Sequence, residues 1–190
     1  MNFIGPILAF AVTTALIYLL RPVAIAIGLV DVPTARKSHK GKIPLVGGLA
    51  IFVGSLLALT VQYAVTGSAL ESSIPLGVFF LAGFILLFTG AWDDYRPLPP
   101  IIRILAQITA SLVMIFMGGV VLTDLGNLNP NGSLFMLGFM SVPFTVFACL
   151  GVINAMNMCD GLDGLSGSLA LISLLGFGIA NTLWGYPGNQ

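Results

Sequence analysis

Four of the seven acidic residues in this chain form two close pairs. Asp93 and Asp94 are adjacent at the end of one apolar stretch, and Asp160 and Asp163 follow the end of another. Adjacent carboxylates repel, so Asp93-Asp94 calls for a counter-charge, either a Mg²⁺ ion or a nearby Lys or Arg. Magnesium takes oxygen ligands, usually one or two carboxylates together with substrate phosphates. The second pair closes a longer series, Asn154, Asn157, Asp160 and Asp163, with an oxygen-bearing side chain every three residues. On an ideal α-helix each step of three drifts by about −60°, so four such groups would smear around the cylinder. A 3₁₀ stretch, or a break at Gly161, would return them toward one cavity. A plainer reading stands beside each: solvated acids where a helix leaves the membrane, and an Asx-rich turn with a cap at each end.

A third set lies in residues 28–48, which hold Arg36, Lys37, Lys40 and Lys42 and the only histidine, His39. Lys binds phosphate as a point charge and Arg as a fork. The same residues also serve as an anchor of positive charge at a membrane face. His39 is open to three roles: ligand, base or polar loop residue. Two acid pairs and a basic loop suggest a site for a metal and phosphates, provided that one face of the molecule gathers them.

The elements that position them follow from composition. Of the 190 residues, 57% are apolar and 7% charged, with no net charge. An average soluble domain is about 25% charged. Fourteen charges do not cover a soluble surface, which excludes a soluble enzyme, a disordered tail and a nucleic-acid binder driven by basic charge. Two cysteines, Cys149 and Cys159, exclude a disulfide scaffold. Uncharged runs cover residues 1–20, 43–70, 72–92, 104–123, 125–159 and 164–190. Each reaches the roughly 20 residues that a helix needs to cross a bilayer. The run Leu76-Gly77-Val78-Phe79-Phe80-Leu81-Ala82-Gly83-Phe84 does not alternate as a barrel strand would. The chain is therefore expected to be all-α and polytopic, a single transmembrane domain over 1–190. Spans are placed near 3–26, 45–66, 75–92, 101–122, 134–156 and 165–184.

Six spans put Arg21, Arg36, Lys37, Lys40, Lys42, Arg96 and Arg103, every basic residue, on one side. That side is expected to be cytoplasmic, with the N-terminus outside. It also holds Asp31 and both acid pairs, which are expected to converge on one cavity. The outer connections, 66–73 and 124–132, read as Gly, Asn and Pro turns. No basic stretch precedes the first apolar run, so a cleaved signal peptide is not expected. Met114, Met117, Met136 and Met140 read as packing residues.

Three segments together resemble the polyprenyl-phosphate N-acetylhexosamine-1-phosphate transferases. They are Gly28-Leu29-Val30-Asp31 through Arg36-Lys37-Ser38-His39 to Pro44-Leu45-Val46-Gly47-Gly48, then Gly90-Ala91-Trp92-Asp93-Asp94, then Asn154-Ala155-Met156-Asn157 through Asp160-Gly161-Leu162-Asp163-Gly164. The members most like it make undecaprenyl-diphosphate-N-acetylglucosamine. The resemblance implies transfer of a sugar-1-phosphate from a UDP-N-acetylhexosamine to a polyprenyl phosphate, with release of UMP. It implies Mg²⁺, with Mn²⁺ as a substitute, and a cytoplasmic site in the bacterial inner membrane that serves cell-envelope polysaccharide synthesis, such as lipopolysaccharide or teichoic acid. A homodimer is compatible with it. Asp93 and Asp94 would be catalytic, and Asn154, Asn157 and Asp160 would line the metal. Lys37, His39, Lys40 and Asp163 would bind substrate. The family has about ten or eleven spans, and its later acidic motif and His-rich loop have no counterpart here, so the chain looks like the N-terminal half of such an enzyme. An inactive membrane fragment or scaffold is the alternative, and a transporter a more remote one.

Overall fold

The computed structural model describes residues 4–31, 41, 43–66, 75–128, 132–159 and 164–183. Six α-helices dominate: α1 (Ile4–Ile27), α2 (Gly47–Thr66), α3 (Leu76–Tyr95), α4 (Pro100–Phe116), α5 (Ser141–Cys159) and α6 (Leu165–Leu183). Two short strands, β1 (Val30–Asp31) and β2 (Ile43–Pro44), pair antiparallel between α1 and α2. The chain divides into two compact units, Met1–Val146 and Phe147–Gln190, with the division inside α5.

This is an all-α membrane protein. Stretches Ile4–Ile27, Gly47–Val65, Leu76–Tyr95 and Gly138–Cys159 are long and apolar enough to cross a bilayer, while Pro100–Phe116 and Leu165–Ala180 are shorter apolar helices. Large apolar side chains stand exposed along these helices, among them Phe10, Tyr18, Phe147 and Phe177. Water would not tolerate so continuous an apolar surface, but lipid does. Several hydroxyls on the helices find partners within their own helix, while Thr13 of α1 donates across to the Ala50 carbonyl of α2. Thr60, Thr89 and Thr109 donate to the carbonyls of Leu56, Ile85 and Leu105, four residues earlier. Without such a partner a hydroxyl in hydrocarbon would be costly.

In the first unit the helices pack as successive antiparallel neighbours, and small residues set their approach. Gly54 lies against Ala9 and Thr13 of α1, and Gly5 against Gln62 of α2. A Cβ at Gly54 would stand 3.3 Å from the Ala9 carbonyl oxygen and 3.2 Å from the Thr13 nitrogen, so no larger residue fits without moving a helix. Phe52 of α2 packs edge-on against Phe80 of α3, with centroids 5.6 Å apart. Gly48 stands opposite Leu87. This register carries the last turn of α3 to the end of the unit where β1 and β2 join α1 to α2.

The helices differ from the expected spans at three bounds. The fourth span was expected over 101–122, yet α4 ends at Phe116. The fifth was expected from 134, yet a 3₁₀ turn covers Gly138–Met140 and α5 starts at Ser141. Gly118 and Gly119 are the physical reason. Gly118 packs so closely on the Met114 carbonyl that a Cβ would stand 2.6 Å from that oxygen, and Gly119 takes φ +68°. An apolar window is blind to this, because Val120, Val121 and Leu122 keep it apolar beyond the break. Between the two helices the chain forms a hairpin in which Asp124 bridges Met136. Leu125 donates to Phe135, Phe135 to Gly126, and Leu137 to Thr123. The third span was expected to end at Trp92, but α3 continues to Tyr95, so both acids lie in its last turn.

Candidate functional site at the acidic end of α3

The turn between α3 and α4 is built from prolines. Pro97, Pro99 and Pro100 surround Leu98, and Pro100 opens α4 at its first position, where a missing N–H costs nothing. The Arg96 amide donates to Trp92 at 2.7 Å and closes α3. So short a connection makes α3 and α4 antiparallel neighbours, and it sets the end of one facing the start of the other.

Asp93 uses that geometry with both carboxylate oxygens. Its Oδ1 accepts the Leu98 amide at 2.7 Å. Its Oδ2 lies 3.3 Å from Nη1 of Arg103, in the first turn of α4. Asp93 is half-buried by these contacts, while Asp94, the next residue, is exposed. The counter-charge that the acid pair requires is thus an arginine of the protein, at least for Asp93. In the sequence Arg103 stands only among the charges that mark a membrane face. The four-residue spacer 96–99 was the available signal, since so short a turn forces residues on its two sides together.

Asn154 and Asn157 lie in the last two turns of α5, and both are exposed. The helix there is regular α through Cys159, so a 3₁₀ stretch is not what relates these two. Spaced by three, they are neighbours on one helix surface. The Asn154 carboxamide Nδ2 donates to the Leu150 carbonyl at 2.8 Å, which fixes the orientation of the amide. Asp160 and Asp163 lie outside the described residues, and the expected convergence of the two acid pairs goes with them. Gly164, which follows, has φ +78°. Lys37, His39 and Lys40 also lie outside the described residues. What is described is the ladder at the base of their segment, where Val30 faces Pro44 and Asp31 faces Ile43, and Leu45 donates to Leu29 at 3.1 Å. That ladder stands at the same end of the first unit as Asp93 and Asp94.

Carboxylates and carboxamides are hard oxygen donors, which fit Mg²⁺ rather than a thiophilic ion. Among the described residues no three His, Cys, Asp or Glu side chains cluster as a self-sufficient metal cage.

Comparison with known proteins follows the same segments. The model of the family described as "Glycosyl transferase family 4" matches residues 76–187, from the start of α3 past the end of α6. The chain is 37% identical over 171 residues to an undecaprenyl-phosphate alpha-N-acetylglucosaminyl 1-phosphate transferase of Yersinia pestis, covering 90% of this chain and 44% of that protein. It is 36% identical over 176 residues to the protein of that name in Escherichia coli (strain K12), covering 92% and 45%. Against a probable undecaprenyl-phosphate N-acetylglucosaminyl 1-phosphate transferase of Bacillus subtilis (strain 168) it is 32% identical over 172 residues, covering 88% and 46%. The chain spans about half the length of the curated relatives it matches. No solved structure matches it significantly. With more than half of its residues under one family model, acid-bearing α3 among them, the chain belongs to glycosyl transferase family 4.

Proposed function

We propose that the protein to which this chain belongs transfers N-acetylhexosamine-1-phosphate from a UDP-sugar to undecaprenyl phosphate or a similar polyprenyl phosphate. The observation that carries this reading is the likeness to undecaprenyl-phosphate N-acetylglucosaminyl 1-phosphate transferases along nine-tenths of the chain. N-acetylglucosamine is the sugar their names favour. A lipid-borne acceptor agrees with acids at the end of an apolar helix, where they avoid the cost of mid-membrane charge and still meet a headgroup.

In the proposed reaction an oxygen of the lipid phosphate attacks the β-phosphorus of the UDP-sugar. The new P–O bond forms as the bond from that phosphorus to the bridging oxygen breaks, and UMP leaves with the bridging oxygen. A phosphate monoester has its second pKa near 6, so the attacking group is mostly dianionic at neutral pH and needs little help from a base. The protein's contribution is then placement and control of charge. Mg²⁺, when bound, would offset charge on the diphosphate. Asp94 and Asp93 are the catalytic candidates on α3, with Asp160, Asn154 and Asn157 as ligands at the end of α5. Lys37, His39 and Lys40 would bind phosphate from the first loop, and Asp163 would orient the nucleotide. Within this reading the chain crosses the inner membrane six times with the N-terminus outside, and the site faces the cytoplasm. The all-basic asymmetry of the connections supports that orientation.

The test is a radiolabelled assay in vesicles, with UDP-N-acetylglucosamine and undecaprenyl phosphate, on the longer protein carrying this chain. Chloroform-soluble labelled lipid together with stoichiometric UMP is the expected result. Labelled UDP-sugar left unconverted across a range of Mg²⁺ and Mn²⁺ concentrations, by protein shown to be folded, would overturn the reading.

A further inference from the structure

The hairpin between α4 and α5 has a composition that its position makes meaningful. Its stems carry Leu122, Leu125, Leu134, Phe135 and Met136, all exposed, and Phe139 follows with 87% of its surface exposed. Side chains alternate across a two-stranded ribbon, so Phe135 and its neighbours Leu134 and Met136 make both faces apolar. A lone two-stranded hairpin is marginal in water even with polar faces. The single acid in the described hairpin, Asp124, is turned inward to its own loop. Its Oδ1 accepts the Gly126 amide at 3.1 Å, and Thr123 Oγ1 donates to its Oδ2 at 3.2 Å. Toward the tip the composition changes to Asn127, Asn129, Pro130, Asn131 and Ser133. In sequence the apolar residues thus concentrate in the stems and the polar ones between them, with Leu128 as the exception.

Helix length says where that base lies. With 17 residues α4 is about 25 Å long, against a hydrocarbon core of about 30 Å. Its first turn is beside Asp93, and Gly118 past its other end packs on Val78 at the start of α3. The hairpin thus emerges at the end of the unit opposite Asp93, before the crossing is complete. The edge amide of Leu122 is satisfied by Thr145 of α5, whose Oγ1 accepts it at 2.9 Å. That hydroxyl, on a residue 4% exposed, donates in turn to the Ser141 carbonyl at 2.6 Å. Backbone groups that enter apolar depth need such partners.

We infer that the stems of this hairpin are seated in the acyl boundary of the bilayer at the end opposite the acidic site. The occupant of its apolar faces is lipid. Continuity with the lipid-facing α4 and α5, the shortness of α4 and the concentration of apolar residues in the stems all point there.

The experiment uses single-tryptophan reporters in the intact chain, with Trp92→Phe and Trp184→Phe as background, reconstituted in phosphatidylcholine vesicles. Phe135→Trp reports the base and Leu128→Trp the tip. Brominated acyl chains are expected to quench the Phe135→Trp reporter at least twofold more strongly than the Leu128→Trp reporter, with aqueous acrylamide giving the reverse order. Equal acrylamide quenching of both reporters and no response to brominated lipid would place the ribbon in water and overturn the inference. Quenching by neither would mean that protein covers the base, whether a second copy or another segment, and would overturn it equally. Phe139→Trp, beyond the hairpin, repeats the measurement should Phe135→Trp lose helicity by circular dichroism.

Discussion

Asp93 spans the turn between α3 and α4 by holding the Leu98 amide with one carboxylate oxygen and Arg103 with the other, at 2.7 Å and 3.3 Å. The two neighbouring acids therefore have different surroundings. One is engaged in the turn and the other stands exposed at the helix end. A shared catalytic label for Asp93 and Asp94 conceals this difference, and substitution separates them.

In the longer protein, Asp93→Asn is expected to lower the unfolding midpoint as well as turnover, since it weakens a charge-assisted bond to Arg103 and an amide contact together. Hydrogen bonds to charged groups are worth about 1.5–3 kcal/mol, less where solvent reaches them as it does here. Asp94→Asn, at the more exposed of the two positions, is expected to lower turnover and to lower the midpoint less than Asp93→Asn does. Thermal unfolding in detergent beside initial rates decides the matter. Equal midpoint losses in both variants would mean that the two acids serve the fold alike.

Arg103 is 42% exposed in its side chain and Asp93 24%, so their ion pair contributes roughly 1 kcal/mol or less to stability. Arg103→Gln is accordingly expected to leave the fold intact. If it positions the acid pair, it will still slow the reaction tenfold or more, and Arg103→Lys will recover part of that loss. Activity and melting measured on the same preparations check this. Unchanged turnover in Arg103→Gln would reduce the pair to a surface contact.

Helix–helix approach gives a prediction independent of chemistry. Gly54→Ala places a methyl against the backbone of Ala9 and Thr13, at 3.3 Å and 3.2 Å. Overpacking of this kind costs typically 1–3 kcal/mol. A lowered unfolding midpoint is expected for Gly54→Ala. No loss is expected for Gly151→Ala, where an added Cβ meets nothing within 4 Å. Equal behaviour of the two variants would show that α1 and α2 do not pack as described.

Much of this was legible in the residues, for identifiable reasons. Apolar runs mark helices in lipid because backbone groups have no other partner there, and the interiors of α1, α2, α3 and α6 fall where the runs place them. What escaped was the interruption at Gly118-Gly119, since Val120-Val121-Leu122 reads as helix continuation to any measure of hydropathy. The acids were conspicuous because charge is scarce, only fourteen residues in 190. The role of Arg103 was not, because an ion pair across a turn depends on helix register, and composition carries no register. Asn154 and Asn157 stood out by spacing, yet spacing alone did not separate a 3₁₀ stretch from the regular α-helix that contains them.

Orientation is tested by labelling. With Cys149 and Cys159 replaced by Ala, a cysteine at Ser133 is expected to react with an impermeant maleimide added to whole cells, and one at Lys40 only after lysis. The seven-to-zero distribution of basic residues motivates this order. Reaction of the Lys40 position in intact cells would invert the topology and put the acid pair on the wrong side for a nucleotide-sugar.

The last prediction assigns ligand and non-ligand roles between the two acid pairs. Asp94→Asn and Asp160→Asn each keep size and hydrogen-bonding capacity while removing one negative charge. If either acid acts on the metal or on the diphosphate, the loss falls on transition-state charge, about 3 kcal/mol or a hundredfold in rate. If either is only a helix-end acid, the swap costs about 0.5 kcal/mol of stability or less, because an exposed carboxylate at the C-terminal end of a helix gains nothing from the dipole there. Magnesium separates what remains. Loss of a ligand weakens metal binding, so raising Mg²⁺ restores part of the rate. Loss of a group that acts on the lipid phosphate leaves a deficit that no Mg²⁺ concentration repairs. Rates of the longer protein, measured against Mg²⁺ from micromolar to tens of millimolar, are expected to show rescue for Asp160→Asn and none for Asp94→Asn. Rescue of both would make α3 part of the metal site, and full activity in both without added metal would leave the acids as plain helix-end charges.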